Sequence, residues 1–125
     1  MGANGGLIAA ATLAAVVAVA HSFLGERYIL IRLFRREDLP RLFGSDWFTR
    51  RTLRFAWHVT SVAWLGLAAV LVVLAGPGVP DRSALLRVVA VTFSLTAVVA
   101  AVGSRGKHLS WVAFTAIAAL AWLAG

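Results

Sequence analysis

Residues 7–24 carry no formal charge. A helix apolar on every side has no face to offer water, whereas a hydrocarbon core about 30 Å thick is crossed by ~20 such residues at 1.5 Å rise each. The run is therefore read as a first membrane span. The segment Ala18-Val19-Ala20 also matches the small-x-small pattern of a secretory signal cleavage site. A signal peptide, however, carries its positive charge ahead of the apolar run. Here Met1 to Gly6 has no lysine or arginine, and Arg27, Arg32, Arg35 and Arg36 follow instead.

Three further apolar stretches, 55–75, 84–102 and 109–125, give a single all-α transmembrane domain over residues 1–125, an integral membrane four-helix bundle. The last stretch lies at the lower length limit of ~17 residues. Gly76-Pro77-Gly78-Val79-Pro80 ends the second span, since neither residue type continues a helix comfortably. Asp81 or Ser83 caps the third, and Gly103-Ser104-Arg105-Gly106-Lys107 makes a short basic turn. On the third helix Ala90, Ser94, Ala97 and Ala101 form a small-residue seam that admits a neighbouring backbone. Composition agrees: 61% of the 125 residues are hydrophobic, mean hydropathy is +0.87, and a soluble domain has roughly 45–50% apolar residues. Cysteine is absent, which excludes disulfides, iron-sulfur clusters and thiolate metal sites.

Net charge is +7, and the charge is concentrated in residues 26–54. In a soluble protein such a balance suggests nucleic acid. A basic block between apolar spans reads instead as a cytoplasmic, amphipathic segment held against anionic headgroups, so no nucleic-acid partner is expected. The expected headgroup residues are Arg32, Arg35, Arg36, Arg41, Arg50 and Arg51. Pro40 and Gly44 interrupt any continuous helix, so a short second helical piece is predicted along the headgroups, and Ser45 or Asp46 caps the next membrane helix. Glu37 and Asp38 are expected to pair locally with Arg35, Arg36 or Arg41. This orientation puts both termini outside a cell (inner) membrane, Arg105 and Lys107 inside, and the 76–83 turn outside. Trp47, Trp57, Trp111 and Trp122 fall at the span ends as an aromatic belt.

The same orientation brings His21, His58 and His108, on the first, second and fourth helices, to one depth. Imidazoles from separate helices share a ligand only at a common level. One reading is a cofactor: haem b held by two of the histidines, with Arg54 or Arg105 near its propionates, or a divalent metal held by all three. The other is that histidine, amphipathic like tryptophan, simply suits a headgroup interface. His21 lies on a small-residue stripe with Ala14, Ala18 and Gly25. Glu26, five residues on and about 140° around a regular helix, is the weaker ligand unless the helix bends. Thr60, Ser61, Thr92, Ser94, Thr96 and Thr115 are expected to bond to their own i−4 carbonyls or to a neighbouring helix rather than to line a path. There is no nucleophile motif, phosphate loop or zinc-protease signature, and no enzyme class is assigned.

The combination His21-Ser22-Phe23-Leu24-Gly25-Glu26-Arg27, Phe55-Ala56-Trp57-His58-Val59-Thr60-Ser61 and Gly106-Lys107-His108-Leu109-Ser110-Trp111 resembles small, uncharacterised bacterial inner-membrane proteins with four spans. The resemblance covers most of the chain and implies no activity. Small multidrug transporters are similar only in size and helix number. Three functions are therefore expected as alternatives: a haem- or metal-binding membrane protein, a non-enzymatic accessory or scaffold protein that binds partner subunits and anionic lipid, and a small transporter acting as a homo-oligomer.

Overall fold

The structure is a computed structural model and describes residues 4–125. Four helices follow one another: α1 (Gly5–Leu33), α2 (Trp47–Ala75), α3 (Arg82–Ser104) and α4 (Ser110–Leu123). No strand occurs among the described residues. The first three helices are long and apolar enough to cross a membrane. The fourth has 14 residues, about 21 Å of rise, and so falls short of the ~30 Å expected of a span.

The helix ends have local causes. Asn4 caps α1, its Oδ1 accepting the N–H groups of Gly6 and Leu7 at 3.1 and 3.3 Å, while Asp81 accepts the N–H of Ser83 at 3.0 Å and caps α3. Arg105 turns left-handed at φ 51°, and the Gly106 N–H closes α3 on the carbonyl of Ala101 at 2.7 Å. At the head of α2, Asp46 makes no side-chain cap; Ser45 Oγ receives the Trp47 N–H at 3.4 Å instead.

Two elements depart from the sequence expectation. No second helical piece lies along residues 34–46. α1 continues unbroken to Leu33, and the segment beyond it is a run of turns. Pro40 and Gly44 stand too close together for a helical turn between them, and Leu42 and Ser45 instead pair across a tight reverse turn, Leu42 N–H to Ser45 carbonyl at 2.8 Å. The turn holds Phe43 at φ 56° and Gly44 at φ 87°, the all-positive signature of a type I′ turn. Within α1, Gly25–Leu30 is wound as a π-helix, which admits an extra residue and re-aims the side chains beyond it.

The second departure is in the packing. Close backbone approach is confined to α1 with α2, α2 with α3, and α3 with α4, and the side-chain hydrogen bonds between helices join the same pairs. The four-helix bundle is thus laid out as a row of antiparallel neighbours. Small residues make the row possible. Ala11 and Ala18 of α1, Ala68 of α2, and Ala90, Ala97 and Ala100 of α3 are buried. A Cβ at Gly25 would run into the indole of Trp57, and one at Gly66 would meet Thr92. Large apolar side chains such as Leu13, Phe23, Leu67, Val102 and Leu120 point outward. Small residues inside and large apolar ones outside is the arrangement that suits lipid, where helix association rests on packing rather than on hiding apolar surface from water.

Candidate functional site: a polar chain between α1 and α2

Both connections that carry basic residues, 34–46 and 105–109, lie at one end of the row. Towards that end, six side chains of α1 and α2 are linked. Ser22 Oγ donates to Ser61 Oγ at 2.7 Å, and His21 Nδ1 lies 3.0 Å from the same Ser61 hydroxyl. His58 Nδ1 stands 2.9 Å from Ser22 Oγ and its Nε2 3.2 Å from Glu26 Oε2. The other Glu26 oxygen accepts from Arg54 Nη2 at 2.8 Å. Ser61 is buried, and the histidines are half-buried.

Local structure explains how these side chains meet. Ser61 follows His58 by three residues, so the two share one face of α2. The π-turn starting at Gly25 re-aims Glu26, and this carboxylate reaches His58 and Arg54 on α2 instead of sharing a ligand with His21. The missing side chain at Gly25 leaves room for Trp57, whose Nε1 donates to the His21 carbonyl at 3.0 Å. The same indole stacks on the His21 ring, centroids 4.5 Å apart and 4° from parallel, and Trp64 leans on that ring at 4.9 Å. Trp57 therefore clasps α1 against α2.

His108 does not join this chain. It stacks on Phe48 at 5.7 Å, meets Phe55 edge-on at 5.1 Å, and its Nδ1 lies 2.8 Å from Ser110 Oγ and accepts the Ser110 N–H at the head of α4. The structure thus brings together His21 and His58 and leaves His108 in an aromatic, helix-capping setting. Among the described residues no group of three or more His, Cys, Asp or Glu side chains is arranged to hold a metal ion. Both nitrogens of His58 are engaged and one face of His21 is covered by Trp57, so the donor set does not fit haem or a three-histidine metal as it stands. Arg54 is committed to Glu26 and lies over Phe34 at 5.0 Å. The threonines behave as expected: Thr60, Thr92, Thr96 and Thr115 each return their hydroxyl to the i−4 carbonyl. Ser61 bonds to the neighbouring helix as expected, whereas Ser22, and the part Trp57 plays against His21, were not singled out from the sequence. Their signal was adjacency to His21 and His58.

The basic residues divide into two groups. Arg36 grips Asp38 with both ends of its guanidinium, Nε to Oδ1 at 2.8 Å, and holds that carboxyl below the usual carboxylate range. Arg50 binds Asp46 at 2.6 Å and lowers its pKa by that hydrogen bond, while also reaching the carbonyls of Phe34 and Arg36. These two arginines stitch the 34–46 segment together. Arg32, Arg35 and Arg41 are exposed and form no ion pair among the described residues. Arg51 donates to the Gly103 carbonyl at 3.0 Å and lies 5.1 Å over the Trp47 ring; Lys107 lies over the same ring at 4.7 Å.

No family model, curated protein or solved structure matches the chain.

Proposed function

We propose that this protein is a non-enzymatic accessory protein of the cell (inner) membrane, with its basic end on the cytoplasmic leaflet and its helix faces open to lipid and to partner subunits. The observation that carries the reading is the segregation of charge. Ten of the twelve basic residues belong to the end bearing segments 25–54 and 105–107, and only Arg82 and Arg87 to the other. Arginine resists translocation and gains Coulomb energy from anionic headgroups, so such an asymmetry orients a polytopic protein. Exposed Arg32, Arg35 and Arg41, and Phe43 standing 91% exposed at the tip of its turn, supply the charge and the apolar wedge that a headgroup layer accepts. In this reading α4 crosses the bilayer by local thinning, which a short apolar helix imposes at modest cost.

The test uses the absence of cysteine, which makes any introduced thiol unique. In intact cells, Ser45→Cys should resist a membrane-impermeant maleimide and Val79→Cys should react. The reverse labelling would reject the orientation, and with it the reading.

A further inference from the structure

At the basic end, α2 and α3 part to leave a groove of about 580 Å³, lined by Arg51, Arg54, Phe55, Val98, Val99 and Val102 and bordered by Trp47. Its size lies within the range of ligand-binding clefts. The floor is apolar, because Val98, Val99 and Val102 line it and offer no hydrogen bond. The mouth is cationic, and its charges are unevenly matched. Arg50 is answered by Asp46 and Arg54 by Glu26. Arg51, resting on the Trp47 ring, has no carboxylate partner among the described residues, and Lys107, over the same ring, borders the adjoining hollow with Phe43, Phe48 and Arg105. Arg51 spends one bond on the Gly103 carbonyl, leaving most of its five donors for such a ligand.

These features select one kind of occupant. A water-soluble anion would leave the valine floor uncovered, and an uncharged or zwitterionic amphiphile gains little from unmatched cations. We propose that the groove holds one anionic phospholipid, its phosphate beside Trp47 at the Arg51 guanidinium, and an acyl chain along Val98, Val99 and Val102. The proposal deepens the membrane reading above and rests on the basic end lying at a leaflet that contains anionic lipid. It differs from diffuse attraction between arginines and headgroups in being stoichiometric and in depending on one groove.

The experiment is native mass spectrometry of the full chain in detergent, titrated with phosphatidylglycerol and, separately, with phosphatidylcholine. One phosphatidylglycerol per chain is expected to be retained at concentrations where phosphatidylcholine is not. Arg51→Gln should weaken retention roughly tenfold or more, as losing a charge-assisted hydrogen bond does, and Val99→Trp should block the groove. Arg87→Gln removes the same charge at the opposite end and should leave retention unchanged. Equal retention of the two lipids, or undiminished phosphatidylglycerol retention by Arg51→Gln, would overturn the proposal. Should Val99→Trp fail to fold, Arg51→Gln decides alone. Failure of the broader reading shows separately, as reversed thiol labelling at positions 45 and 79.

Discussion

Phe43 occupies a left-handed backbone conformation at φ 56° with its ring almost fully exposed. A bulky residue in that region costs on the order of 1–2 kcal/mol, whereas asparagine adopts it readily. Its ring touches Phe48 edge-on at 5.4 Å, one aromatic contact against that strain. Phe43→Asn is therefore expected to leave thermal stability in detergent unchanged or slightly higher while weakening binding to anionic vesicles. Lower stability with unchanged vesicle binding would show that the ring serves the fold and not the membrane. Charge led to the expectation that His21, His58 and His108 share one depth, but nothing in residue order says which side of α2 each ring comes to lie on. His21 and His58 meet through two serines, and His108 sits among phenylalanines.

The helices themselves were legible where apolar runs ended in glycine, proline or charge. The heads of α2 and α3 and the break at Gly76 all follow from such signals. The π-turn was not legible, because hydrophobic periodicity in an apolar helix carries almost no phase to slip. Yet it decides that Glu26 faces α2. Glycines at the seams were visible as residues but not as contacts. Gly66 is the clearest case: a Cβ there would meet Thr92, whose β-branched side chain is already bound to the Val88 carbonyl at 2.7 Å and has few rotamers to retreat into. Gly66→Ala is expected to force α2 and α3 apart and cost about 1–3 kcal/mol, measured by unfolding in mixed detergent and SDS. Gly5→Ala, where the added methyl meets nothing, should be near neutral. Equal effects at the two positions would mean that the α2–α3 seam is looser than described.

Across the whole molecule, antiparallel order follows from the connections between successive helices, and the arginines mark one end as basic. Closure does not follow from either. Successive alanine-rich faces bind each helix to the next, and no equivalent face on α1 turns towards α4. A row has flanks but no lumen, so a single copy offers a solute no enclosed route and no interior axis. Permeation, if this chain supports any, must run between copies assembled flank to flank. Proteoliposome flux should then rise more steeply than linearly with protein density, whereas a strictly proportional rise would mean that one chain conducts by itself.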